Sequence, residues 1–208
     1  MDDHSAWKKY PKHRKWFNKL YVSDLLGYNC GPCGVAPEKD GWYIVRPIYN
    51  LSGMSLGAEK KYIKANDVTQ VQPGYFWCEW FNGDHVSVTY RFIHDINPYW
   101  KPIKGWKGYS ENFKFTKWER VHEFPIVPRA LNELSFTDIN VEFINGNVIE
   151  VHMRDTPDPE YDEMIPIFIS NVNDIDILKK LGYNLIESPE NGDGWLEDPR
   201  VGFMVRNK

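Results

Sequence analysis

DINVEFINGNVIEVHMR, residues 138–154, is the stretch that decides the fold. It reads as two strands around Asn145-Gly146, and strand side chains alternate between faces. Val141, Phe143, Ile149, Val151 and Met153 occupy the odd positions and form an apolar, core-facing set. Asn140, Glu142, Glu150, His152 and Arg154 occupy even positions, so two carboxylates, an imidazole and a guanidinium crowd one small area. The even positions share a face only if the turn holds an odd number of residues. A three-residue loop with glycine in the left-handed conformation is therefore expected, since a tight two-residue turn in a regular ladder would split Glu142 from Glu150. Two carboxylates about 4 Å apart repel by roughly 4 kcal/mol at an effective dielectric near 20. Something positive must lie beside them: Arg154, giving a structural ion pair, or a divalent cation, since hard cations prefer oxygen ligands.

Working outward, PRALNEL (128–134) reads as a short helix, and RKWFNKLYVSDLL (14–26) as a longer one stopped by Gly27. Residues 28–41 are loop and WYIVRPIY (42–49) is a strand. NLSGMSLGA (50–58) is a flexible connection whose Gly53 and Gly57 allow close backbone approach. YFWCEWF (75–81) and HVSVTYRFI (85–93) flank Asn82-Gly83-Asp84, a hairpin signal. Residues 94–117, with scattered aromatics and lysines, are expected to be a long irregular loop. DIDILKKLG (174–182) is helical, and strands follow around NLIES and RVGFMVR.

The order of three segments adds a resemblance. NVEF…VIEVHMR resembles the closing magnesium-binding hairpin of ATP-grasp proteins, IVRPIYNLSGMSLGA (44–58) their arginine strand and glycine loop, and EWFNGDHVSV (79–88) their hinge. The likeness is to the carbamoyl-phosphate-synthetase branch and covers roughly residues 14–170. It implies an α+β fold of two antiparallel-sheet lobes with an ATP cleft between them: a domain over 1–170, its small lobe at about 41–75, and a C-terminal helix and hairpin extension over 171–208 packed on it. It implies Arg46 on phosphate oxygens, Ser52, Gly53 and Gly57 over the phosphates, and Glu79 and Phe81 reading adenine. His85 stands where the family places a ribose-binding Glu. Glu142 and Glu150 would hold magnesium, Arg154 would face the substrate, and Lys19 or Lys15 would supply another phosphate-binding cation. His152 replaces the usual metal-binding Asn. Imidazole is a poor magnesium ligand, so His152 points to substrate binding, to manganese, or to lost catalysis.

The implied activity is ATP- and magnesium-dependent ligation, a carboxylate activated as an acyl phosphate for attack by an amine or other nucleophile. The acceptor is a small molecule or a protein or peptide. The N-terminal domain that helps form the family's acceptor site is expected to be missing, so a protein partner, a second copy or the 94–117 loop would have to complete it. The alternatives are a catalytically silent nucleotide-binding module and, from CGPC (30–33), a thiol-redox protein. Redox chemistry needs a helix starting at the first Cys, which GVAPEKDG does not suggest. A zinc site would have only Cys78 to join the pair.

Composition narrows the rest. A net charge of −4 gives no general attraction for nucleic acid or anionic membrane. The basic cluster from Lys8 to Lys19 is expected to be a solvated helix face. No apolar stretch reaches the roughly 18 residues of a membrane span, and MDDHSAWKKY carries no signal-peptide pattern, so a cytoplasmic protein is expected. Aromatic residues make up 15% of the chain, enough to build the core from large rings. His94-Asp95 and His122-Glu123 are read as surface pairs, and NDID (173–176) is too short for a calcium loop.

Overall fold

The computed structural model describes residues 1–53, 55–190 and 196–207; Met54 of the glycine loop lies outside them. The N-terminal segment carries α1 (Asp3–Lys9), a 3-10 helix (Pro11–Phe17) and α2 (Lys19–Leu25). Where one helix was expected over 14–26 there are two, because Asn18 leaves the helical region and caps α2, its Oδ1 accepting from the Tyr21 N–H at 2.8 Å. That break turns Lys19 inward, so it is buried and not part of a solvated basic face.

A small sheet follows, built from β1 (Cys30–Pro32), β2 (Gly41–Pro47), β3 (Glu59–Ile63) and β4 (Tyr75–Glu79) in the order β1-β4-β2-β3. Every other residue faces its core: Tyr43, Val45, Ile63 and Trp77, with the Tyr43 and Trp77 rings edge to face at 5.1 Å. The large sheet holds β5 (His85–Ile93), β6 (Tyr99–Glu111), β7 (Lys114–Arg120), β8 (Ile139–Ile144), β9 (Asn147–His152) and β10 (Glu163–Phe168). Two 3-10 helices, Arg129–Leu134 and Ile169–Asp174, and α3 (Ile175–Lys180) lie in its connections. With β11 (Asn184–Glu190) and β12 (Arg200–Arg206) the sheet runs β11-β12-β10-β7-β6-β5-β8-β9, antiparallel at each step. The architecture is thus α+β with two antiparallel sheets, as expected. The C-terminal hairpin is part of the large sheet: β12 pairs with β10 from Glu163–Arg206 to Phe168–Arg200.

Three local expectations are corrected. Residues 94–117 are irregular only over 94–98. They form most of the β6–β7 hairpin, whose two glycines are there for space: a Cβ at Gly108 would lie 2.7 Å from the Phe115 ring, and one at Gly105 would lie 2.9 Å from Val88. Lysine, glycine and proline masked the strand pattern. Second, Asn82-Gly83-Asp84 does not close a hairpin. β4 and β5 belong to different sheets, and the segment carries the chain from one to the other. Gly83 packs on Asn145, where a Cβ would fall 2.7 Å from the asparagine Cβ, and Asp84 accepts from the Asn145 N–H at 3.0 Å.

Third, the turn in 138–154 is the tight one. Ile144 pairs with Asn147, and Asn145 (φ 49°) and Gly146 (φ 79°) make a two-residue turn with both φ values positive. The face assignment survives because of a β-bulge: the register shifts between Glu142 and Phe143, so Glu142 faces Glu150 while Phe143 faces Val148. Ile149 is the extra residue. Val148, 1% exposed, takes the core place expected for Ile149 and joins Val141, Phe143, Val151 and Met153. Against this face pack Trp16, Phe17 and Val22 of the N-terminal helices.

Candidate functional site

The polar face of β8–β9 looks into a cleft between the two sheets. Its inner part has a volume of about 800 Å³ with its mouth included and is lined by Lys19 from α2, Arg46 from β2, Glu79 to Phe81 from the inter-sheet connection, His85, Glu142 and Glu150. A second cavity, about 1560 Å³ with its opening, shares Ser55, Leu56, Ala58, Phe113 and Glu142 with the first. It continues past Gly53, Gly57, Trp118, His152, Arg154 and Arg200.

Glu142 and Glu150 sit directly across the ladder from one another, each accompanied by protein cations. Lys19 Nζ pairs with Glu150 Oε1. His85 Nε2 lies 3.1 Å from Glu142 Oε2. His152 Nε2 lies 3.5 Å from Glu142 Oε1 and 3.8 Å from Glu150 Oε1. Burial alone would raise the Glu142 carboxyl, but hydrogen bonds and charge from His152 and His85 hold it well below the usual carboxylate range. The positive partners required beside the two acids are therefore Lys19 and His152, with His85 as a further hydrogen-bonding neighbour of Glu142.

Arg154 is engaged elsewhere. Its Nε and Nη2 donate to the Asp3 carboxylate at 2.7 and 3.0 Å, a forked pair, and Nη1 donates to the Asp155 carbonyl at 3.2 Å. The other Asp3 contact is His152 Nδ1, at 2.8 Å from Oδ2. Asp3 is only 4% exposed. Burial would lower His152, yet the Asp3 carboxylate overrides both burial and the opposing Arg154 charge and pushes it up to about 9. The same two cations keep Asp3 ionised against its burial.

Arg46 reaches across the cleft from the small sheet. Its Nη2 donates to the carbonyl of the bulged Ile149 at 2.8 Å, while its buried Nε finds no acceptor among the described residues. Glu79 is braced against Asn29, whose N–H donates to Oε1 at 2.9 Å, and the Phe81 ring stands edge-on to Tyr28 at 4.9 Å. The glycine loop is held by Asn50, which accepts from the Ser52 N–H at 3.1 Å and donates to the Gly53 carbonyl at 2.9 Å. Gly53 (φ 67°) and Gly57 (φ 75°) line the second cavity, whereas the Ser52 amide is committed within the loop.

The structure thus gathers Lys19, Arg46, His85, Glu142, Glu150, His152 and Arg154 in one region, with Gly53, Gly57, Glu79 and Phe81 on the cleft walls. Lys15 is not among them; it pairs with Glu133 at 2.7 Å. Sequence reasoning missed Asp3, Phe113 at the β6–β7 tip, and Trp118, against which His85 packs. The one local signal at Asp3 is Asp2 as a helix cap, its Oδ1 accepting from the Ser5 N–H at 2.7 Å; that places a helix start and says nothing of a partner 149 residues away.

His152 is spaced to share a divalent cation with either carboxylate. Two ligand atoms bound about 2.1 Å from one ion can be no more than about 4.2 Å apart, and the His152-to-carboxylate spacings of 3.5 and 3.8 Å fall inside that limit. One donor atom from each of Glu142, Glu150 and His152 lies within 4.8 Å of the others. Cys30 lacks the helix N-terminus that activates a redox thiol. It begins β1, not a helix, and burial pushes its thiol up to about 12. No helix among the described residues is long and apolar enough to cross a membrane.

No protein-family model matches the chain, and no curated protein matches its sequence. Solved structures do match its fold. N5-carboxyaminoimidazole synthetase from Staphylococcus aureus, complexed with ADP, is similar with a TM-score of 0.55 and 11% identity over 93% of this chain and 69% of that one. Carboxyaminoimidazole ribonucleotide synthase from Aspergillus clavatus, complexed with ATP, has a TM-score of 0.54 and 9% identity over 99% of this chain and 74% of that one. A protein from Archaeoglobus fulgidus assigned to the ATP-grasp superfamily aligns with a TM-score of 0.39 and 14% identity; the match covers 68% of this chain but only 46% of that protein's length. At such identities the likeness to the two synthetases establishes architecture alone, and that architecture is the ATP-grasp fold.

Proposed function

We propose, from the ATP-grasp fold and the cleft it encloses, that this chain binds ATP with a divalent cation and activates a carboxylate as an acyl phosphate for attack by an amine or another nucleophile. The observation that carries the reading is the Glu142–Glu150 pair, set side by side on the cleft face by the Ile149 bulge. In this reading the backbone of Glu79 and Phe81 meets the adenine edge in the inner cavity. The triphosphate runs past Arg46, whose charge and Nε, without a partner among the described residues, suit phosphate oxygens. Lys19 shifts from Glu150 towards phosphate, and Gly53 and Gly57 let the loop approach from the small sheet. Bound on Glu142 and Glu150, the cation would neutralise phosphate charge. The second cavity, reached past Arg154, is where the carboxylate and nucleophile would meet. Catalysis then rests on positioning and charge, with no covalent role for a side chain.

A second reading has its own observation. Glu142 and Glu150 already have Lys19, His85 and His152 as partners, and Arg154 is held by Asp3. A cleft so compensated suits a nucleotide-binding module without turnover. Calorimetric titration with ATP and Mg²⁺ or Mn²⁺, repeated on Glu150→Gln, tests both: binding that the variant weakens supports the site, and no binding overturns both readings. ADP release in the presence of candidate acids and amines then separates ligase from silent module.

A further inference from the structure

Asp3 comes from the first helix of the chain, yet it forms the back of the candidate metal site. Its carboxylate accepts from His152 Nδ1 at 2.8 Å and from Arg154 Nε at 2.7 Å, and it is 4% exposed. That contact settles which imidazole nitrogen faces the cleft: Nδ1 is committed to Asp3, and Nε2 points at Glu142 Oε1 and Glu150 Oε1. A carboxylate behind a histidine, fixing its ring and raising its basicity, is the arrangement that orients a histidine metal ligand. Arg154 is drawn to the same carboxylate, so it does not crowd Nε2; the nearest contact is Nη2 to Nδ1, at 3.5 Å.

We propose that Asp3 is a positioning residue that presents His152 Nε2 as a nitrogen ligand, making the Glu142–Glu150–His152 site selective for Mn²⁺ over Mg²⁺. This rests on the reading of the cleft as a nucleotide and metal site, and deepens it. Two carboxylate oxygens suit magnesium and manganese alike, and phosphate oxygens do too. An imidazole nitrogen breaks the tie, because it suits transition dications and is a poor partner for magnesium. The cation takes the place of the proton on Nε2, which passes to solvent. A residue of the N-terminal helix thereby sets the metal preference of a hairpin 149 positions further on.

The test is calorimetric titration of the full chain with MnCl₂ or MgCl₂ in the presence of ADP, with Mn²⁺ electron paramagnetic resonance as an independent count of bound metal. The wild-type protein is expected to bind Mn²⁺ at least tenfold more tightly than Mg²⁺. Asp3→Asn should lower Mn²⁺ affinity ten- to a hundredfold, the usual loss on removing an outer-shell carboxylate, and leave Mg²⁺ affinity within about threefold. A merely structural role would weaken both metals alike, and that result overturns the proposal. His152→Asn, which keeps Asp3 and the fold, should reverse the preference to Mg²⁺; an unchanged preference in that variant also overturns it, even if Asp3→Asn fails to fold. Should neither cation bind with ADP, the nucleotide-site reading falls as well. Tight binding of both cations with Mg²⁺ preferred sinks only the assignment of Asp3.

Discussion

The Arg46 guanidinium donates to the carbonyl oxygen of Ile149 at 2.8 Å, so a strand of the small sheet is pinned to the one bulged residue of β9. The same bulge brings Glu150 opposite Glu142. One irregularity therefore both shapes the acidic pair and anchors the arginine that faces it. Arg46→Ala should weaken ATP binding at least tenfold, about 1.4 kcal/mol, and lower unfolding stability by roughly 1 kcal/mol for the lost hydrogen bond. Arg46→Lys keeps a charge but not the fork, and should recover only part of the binding. Equal ATP affinity in all three proteins by calorimetry would remove Arg46 from the site.

Glu150→Gln tests the pair itself. The amide keeps the volume and one acceptor but removes the charge that holds Lys19, which is 7% exposed. Nucleotide binding with metal should fall ten- to a hundredfold, roughly 1.4–2.8 kcal/mol, while nucleotide binding without metal changes far less. A variant that loses both equally would show that the effect comes from the freed Lys19 and not from a metal ligand.

Much of this was legible in the sequence, and the failures have physical causes. The apolar alternation in 138–154 placed the acidic pair on the cleft face, yet assigned it to a three-residue turn. Hydrophobic period reports which faces are buried, and a bulge at Ile149 restores the same period as a longer turn would. β6 was invisible because its Gly105 and Gly108 leave room for neighbouring side chains, and glycine carries no strand signal of its own. Asp3 could not be found at all, since its meaning lies in a contact with His152 that no local pattern encodes.

The cysteines give a prediction of no effect. With the Cys30 thiol pushed up to about 12 by burial, and the Cys78 thiol up to about 11 for the same reason, neither forms an appreciable thiolate at neutral pH. Replacing Cys30 and Cys33 together by serine should leave nucleotide binding unchanged, and alkylation of Cys30 by iodoacetamide at pH 7.5 should be slow compared with a free thiol, about 8.5 in pKa. Rapid labelling, or loss of ATP binding in the double variant, would restore the CGPC segment as a functional candidate.

Stability should also carry an acid limb away from the cleft. Glu163 in β10 is 1% exposed and ties its neighbours together, accepting from Lys117 of β7 at 2.6 Å and Arg206 of β12 at 2.5 Å. Burial alone would raise its carboxyl, but the Lys117 and Arg206 contacts bring it down from 4.5 to about 2. Because the folded state holds the proton less tightly than the unfolded chain, Glu163 stabilises fully above about pH 4.5. That contribution is lost as pH falls towards 2. Glu163→Gln should therefore cost roughly 2–3 kcal/mol at pH 7, with the gap from wild type narrowing steadily below pH 4.5 in urea titrations. A gap independent of pH would mean that packing, not charge, carries the effect.

Gly202 tests whether the C-terminal strands are structural members of the domain or a dispensable hairpin. It sits in β12 opposite Glu187, and a Cβ there would lie 2.3 Å from the Ile186 carbonyl oxygen and 3.2 Å from the Glu187 Cα. Both obstacles are backbone, so no side-chain rotation relieves them, and Gly202→Ala must push β11 and β12 apart at a cost of roughly 2–3 kcal/mol. β12 is hydrogen-bonded to β10 along its length, and Phe203 and Val205 pack with Trp106 and Met164 of the large sheet. The strain should therefore reach the whole sheet. Calorimetric melting is expected to show one cooperative transition lowered by about 5–10 °C. An early, separate transition of small enthalpy, with the main one unmoved, would instead make residues 184–206 an independently unfolding appendage.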